Sequence, residues 1–130
     1  MYGAILGDII GSPFEFDRGD KTKEFDLFSK DCDFTDDSVM TIAVGEALLA
    51  VGPQATIKEI EEAVVTNMQD WGGRYPHAGY GGKFRHWLKE KNPKPYGSYG
   101  NGSAMRVSAA GWLYDSMERT REVARATANV

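Results

Sequence analysis

Between Val39 and Leu49 lie Val39, Met40, Ile42, Ala43, Val44, Ala47, Leu48 and Leu49, apolar side chains spread around most of a helical circumference. A helix built this way has no polar face to give to water, so it is expected to run through the middle of a domain. Gly52-Pro53 ends it, and Thr35-Asp36-Asp37-Ser38 opens it. One of these residues can serve as N-cap, and the acids complement the helix dipole. That does not account for two adjacent carboxylates and a hydroxyl set against a buried helix. Like charges in a low dielectric are costly unless a cation neutralises them. Oxygen-only ligands suit Mg²⁺, Mn²⁺ or Ca²⁺ rather than zinc. An EF-hand is excluded: counted from Asp31, Asp36 falls on the glycine position and Ile42 on the bidentate glutamate position.

The remaining elements also read as helices. Gly3, Gly7 and Gly11 recur every fourth residue among Ile5, Leu6, Ile9 and Ile10, which puts them on one bare stripe and predicts a buried helix–helix seam. Asp8, a carboxylate within that apolar helix, needs a partner or a metal. From Ser12 to Asp33 the periodicity stops, predicting a long loop with a short strand around Phe25–Phe28. Thr56 and Glu59 form a capping box. Ile57, Ile60, Val64, Met68 and Trp71 then follow at amphipathic helical spacing. A second loop covers Lys91 to Gly102. A helix is predicted from Ser103 to about Tyr114, and a last one from Met117 towards Thr127, capped by Asp115 or Ser116. Five or six helical segments and no strand ladder predict an all-α fold. With 130 residues, a single domain spanning 1–130 is expected.

The charge is divided. Residues 1–70 carry 5 basic and 15 acidic side chains, while residues 71–130 carry 10 and 4. A pI of about 5.1 argues against bulk nucleic-acid binding. No stretch is apolar enough to span a bilayer and no basic segment precedes Met1–Ile10, so no membrane association is expected and a cytoplasmic location is the default. One cysteine, Cys32, excludes an internally disulfide-stapled scaffold and, with no base beside it, reads as inert.

Two glycine-rich loops lie in the basic half. Gly97-Ser98-Tyr99-Gly100-Asn101-Gly102 opens the predicted helix at Ser103, where free backbone N–H groups can receive an anion; a plain turn is the simpler reading. No Lys-Ser/Thr follows and no strand precedes, so it is neither a P-loop nor a Rossmann fingerprint. Gly79-Tyr80-Gly81-Gly82 is the second loop, with Lys83 and Arg85 beside it. Together they favour a diphosphate ligand more than either does alone. Tyr80, Tyr96 and Tyr99 can stack on a base or ribose, or simply close loops. Glu15 is an isolated loop acid, and His77 and His86 have no partner at metal spacing.

Four segments occur together and in order: Gly3–Glu15 (GAILGDIIGSPFE), Phe34–Met40 (FTDDSVM), Gly79–Phe84 (GYGGKF) and Gly97–Arg106 (GSYGNGSAMR). The series resembles the ADP-ribosylglycohydrolase family, typified by the dinitrogenase reductase-activating glycohydrolase. The resemblance covers essentially the whole chain. It implies an all-α orthogonal helical bundle around a binuclear Mg²⁺ or Mn²⁺ centre, with Thr35, Asp36 and Asp37 as metal ligands on one side. It further implies that Glu15 lies on a loop over the metals, with Glu15 and Asp36 as catalytic groups. The loops Gly79, Tyr80, Gly81, Gly82 and Gly97, Ser98, Tyr99, Gly100, Asn101, Gly102 would hold ADP-ribose. The implied reaction is hydrolysis of the bond between ADP-ribose and a protein side chain, the partner being ADP-ribose or an ADP-ribosylated protein.

Family members run further and carry a second aspartate-rich motif that completes the metal site. The chain is therefore expected to be the N-terminal, incomplete part of the fold and inactive alone, with a second chain or self-association covering its apolar face. Two alternatives remain open from the sequence: a non-catalytic ADP-ribose or nucleotide-binding module, and a structural helical oligomer with a relic site.

Overall fold

The computed structural model describes residues 1–16 and 22–130. Among them it contains seven α-helices: α1 (Tyr2–Gly11), α2 (Asp36–Val51), α3 (Ile57–Arg74), α4 (Gly82–Trp87), α5 (Gly102–Met105), α6 (Ala110–Leu113) and α7 (Met117–Ala128). Two 3₁₀ turns, Ser12–Phe14 and Val107–Ala109, complete the set. The architecture is all-α, as the periodicity predicts.

Helix α2 is the axis of the structure. It packs against α1, α3, α5 and the second 3₁₀ turn, while α7 packs against α3 and α6. Its lack of a polar face is realised: Val39, Met40, Ala43, Val44, Ala47 and Leu48 are all buried. Ile60, Val64 and Met68 of α3 and Val123 and Ala126 of α7 close the same core. Fully burying an aliphatic side chain contributes roughly 1.5–3 kcal/mol, so this layer outweighs any cap or surface pair. At Gly72 of α3 the packing leaves no space, because a methyl group there would come within 2.8 Å of the Leu88 side chain.

Local signals act where they are expected. The Thr56 side chain accepts from the Glu59 backbone N–H while Glu59 accepts from that of Thr56, completing the capping box of α3. Ser116, rather than Asp115, caps α7 by accepting from the Arg119 backbone N–H. Two ties fix the outlying segments: Gln69 donates to the carbonyls of Trp87 and Glu90, and the Thr41 hydroxyl donates to the Met105 carbonyl.

Three expectations change. Residues Phe25–Phe28 form no strand; Leu27 and Phe28 are more than half exposed, and the described residues contain no strand for the segment to pair with. The helix predicted over Ser103–Tyr114 is three short pieces, α5, the 3₁₀ turn and α6. The break coincides with Arg106, a charged residue that the surrounding apolar pattern places inside. The glycine stripe of α1 is not a seam among the described residues: a methyl group at Gly3, Gly7 or Gly11 would meet no atom within 4 Å. Helix α1 touches α2 through another face, the one that carries Asp8.

No helix among the described residues is long and apolar enough to cross a membrane. If the α2–α3 layer carries the stability, Met68→Ala costs about 2–5 kcal/mol, whereas Thr56→Ala, which removes a cap, costs about 1 kcal/mol. Urea unfolding of the two variants checks this order, and equal losses contradict it.

Candidate functional site

The start of α2 is built from outside. Asp8 of α1 reaches it across 27 residues of sequence and accepts three hydrogen bonds there. The Thr35 backbone N–H donates to Oδ2 at 2.8 Å, the Thr35 hydroxyl to Oδ1 at 2.5 Å, and the Ser38 backbone N–H to Oδ2 at 3.0 Å. Two donors that α2 itself would leave unmet are thereby satisfied, and the carboxylate sits at the positive end of the helix dipole. The Thr35 side chain is also the N-cap, accepting from the Asp37 backbone N–H. Its hydroxyl proton is committed to Asp8, so its remaining lone pair is left to face outward. Asp8, a carboxylate in an apolar helix, has found its partner.

The end of α1 is held beside this point. The Ser12 hydroxyl donates to the Ile9 carbonyl at 2.9 Å and accepts from the Asp33 backbone N–H at 3.0 Å. That places the 3₁₀ turn, and Glu15 directly after it, next to the segment entering α2. As a result one carboxylate oxygen from each of Asp8, Glu15 and Asp37 lies within 4.8 Å of the others. All three side chains are half-buried.

Asp36, one residue before Asp37, faces different company. It lines a cavity of about 780 Å³ whose walls are Gly81 and Gly82 on one side and the Gly97–Gly102 loop on the other. Gly79 lies against it and adopts φ +101°, a conformation that excludes side chains and lets the chain turn beside the carboxylate. Burial and then the Asp37 charge, reinforced by Glu15 and Asp8, push the Asp36 carboxyl up from 3.8 to about 6. Asp37 is raised as well, first by burial and then by Asp8.

The aromatics divide. Tyr80 is buried, edge-on to Phe84 at 5.9 Å, and its phenol is raised to about 12 by burial and by Asp36. Tyr80 is therefore not an accessible stacking face. Tyr96 and Tyr99 line the cavity and are exposed, Tyr99 completely.

The structure thus brings Glu15 to Asp37, and Asp36 to both glycine loops. Thr35 is tied to the acidic cluster through its two hydrogen bonds to Asp8. Asp8 belongs with the acidic residues, and its position in an apolar helix is the sequence signal for that. Arg106 also lines the cavity; as the one charge between Ala104 and Leu113 it could have been singled out. The helix opened by the Gly97–Gly102 loop, α5, has four residues. A single turn carries little of the aligned peptide dipole of a longer helix.

Fold and site together define an all-α protein in which a carboxylate cluster and a glycine-walled cavity meet at one helix start. Over residues 1–130 the chain matches the family model of the ADP-ribosylglycohydrolases, and it belongs to that family. Membership implies a hydrolase of the ADP-ribosylglycohydrolase type, metal-dependent and acting on ADP-ribosylated substrates. Searches among curated proteins and among solved structures returned no match.

Asp8→Ala should cost roughly 1–3 kcal/mol, because it leaves partly buried backbone donors at Thr35 and Ser38 unpaired. Urea unfolding measures it, and a loss near zero contradicts the clamp. Asp36 also sets a pH dependence in the metal-free chain. Its folded-state pKa lies above 3.8, at about 6, so the folded state holds the proton more tightly. Its contribution to stability therefore falls as pH rises through that interval. The melting temperature of the wild type should drop relative to that of Asp36→Asn between pH 4 and 7; parallel curves would contradict the shift.

Proposed function

We propose that this chain acts in the hydrolytic release of ADP-ribose from modified protein side chains, with residues 1–130 working as one all-α domain. The observation that carries this reading is the division of labour between consecutive residues. Asp37 joins the carboxylate cluster and Asp36 lines the glycine-walled cavity, so a cation site and a ligand cavity would share one helix start.

The donor set fits a hard divalent cation. Asp8, Glu15 and Asp37 offer oxygens alone within a span of 4.8 Å, and the upward pKa shifts of Asp36 and Asp37 reflect a cost that a cation relieves. Glu15 and Asp37 of this cluster, with Thr35 and Asp36 from the same helix start and Asp8 beside them, are the residues that would hold Mg²⁺ or Mn²⁺, one ion or a pair. When bound, such an ion supplies a fixed positive charge that orients oxygen ligands and acidifies water.

The rest falls to the chain's own groups. Glycosidic bonds to ribose break through an oxocarbenium-like transition state, which needs a proton for the leaving group and a positioned water on the ring. Glu15 is assigned the acid/base or water-positioning role. Asp36, which lines the cavity, is assigned as the second catalytic group. The backbones of Gly79–Gly82 and Gly97–Gly102 would cradle the ADP-ribose, with Tyr96 and Tyr99 offering exposed rings to the base. A cytoplasmic site of action accords with the single cysteine.

Calorimetry tests the reading. Mn²⁺ should bind saturably, Asp37→Ala should weaken it at least about tenfold, and ADP-ribose should bind in its presence. Absence of heat from both ligands at millimolar concentration would overturn it.

A further inference from the structure

Arg106 is only 6% exposed, yet no carboxylate among the described residues pairs with it. A buried guanidinium without a counter-charge is costly, and the structure shows what offsets part of that cost. Its Nη2 donates to the Thr127 carbonyl at 3.0 Å, one of the last carbonyls of α7, where the helix dipole presents about half a negative charge. Its guanidinium lies 5.7 Å from the centre of the Phe84 ring, a weak cation–π attraction. Neither supplies a full negative charge, and Nε remains buried without an acceptor.

The position of this charge is informative. Arg106 lines the cavity walled by the Gly97–Gly102 loop. Trp87 lines the same cavity and likewise leaves its buried Nε1 donor without a partner. Both groups can only donate. The loop above them contributes backbone N–H groups but no charge, and α5 is too short to contribute a dipole. Desolvation draws the Arg106 pKa down, but guanidinium stays protonated in proteins, so the charge persists.

We infer that Arg106 is the buried charge that, alongside the exposed Lys83 of the same cavity, recognises the phosphates of its ligand and reads anionic charge that the glycine loop alone cannot distinguish. The inference rests on the proposal above that the cavity takes ADP-ribose, and it adds a specificity-determining residue to it. An uncharged nucleoside should gain nothing from Arg106, whereas ADP-ribose, ADP or inorganic pyrophosphate should.

The test uses the whole chain. In ¹⁵N-labelled protein the Arg106 Nε–H signal, assigned by its loss in Arg106→Lys, should shift on addition of ADP-ribose, ADP or pyrophosphate and stay in place with adenosine. Arg106→Met should weaken ADP-ribose about tenfold or more and leave adenosine unchanged, with Arg106→Lys recovering part of the loss. The wild-type signal gives the answer even if Arg106→Met fails to fold. If ADP-ribose binds saturably while the Arg106 signal stays fixed, this inference falls and the proposed function stands. If ADP-ribose shifts no signal at millimolar concentration, both fall together.

Discussion

The site depends on one carboxylate. Asp8 stands on α1 but does its work at the first turn of α2, where it takes the backbone N–H groups of Thr35 and Ser38 and the hydroxyl proton of Thr35. That single group fixes the relation between two helices and the rotamer of Thr35. It also holds the position at which Asp36 and Asp37 leave the helix. Hydrogen bonds to an ionised acceptor are about twice as strong as neutral ones, so three of them converging on one carboxylate make a firm junction. Glu15 is brought to it by the same helix, through the Ser12 hydroxyl bridge to Asp33.

The apolar core and the site are parts of one construction. Helix α2 is buried because it has no polar face, and a buried helix needs its end satisfied by something other than water. The acids gathered at that end are costly to one another, as the raised Asp36 and Asp37 carboxyls show. A core that can carry this cost permits the cluster, and the cluster is what a divalent cation would relieve. The cavity on the far side of Asp36 has the opposite electrostatics, with the buried Arg106 and the exposed Lys83 among its lining residues.

Much of this was legible from residue types. The apolar circumference of α2, the capping box at Thr56 and the amphipathic spacing of α3 each predict what forms, because each is decided within one element. The Thr35-Asp36-Asp37 group was legible as an anomaly, since acids against a buried helix require an explanation. What was not legible depended on contacts between distant segments. The partner of Asp8 lies 27 residues away, beyond any local rule. The separate surroundings of Asp36 and Asp37 follow from what packs beside α2. The helix expected over Ser103–Tyr114 breaks at Arg106, because periodicity registers apolar spacing and not where a buried cation must point. The glycine stripe of α1 fits a seam in pattern, yet the described residues place nothing over it.

One consequence follows from Asp36 and Asp37 being neighbours on a helix. Successive side chains diverge by about 100° around the axis, so the pair behaves as a hinge pin between two compartments. One peptide unit joins their backbones, so the two carboxylates start from a common support. Whatever occupies the cavity and whatever occupies the carboxylate cluster would therefore stand at one spacing, set by a single turn that Asp8 holds in place.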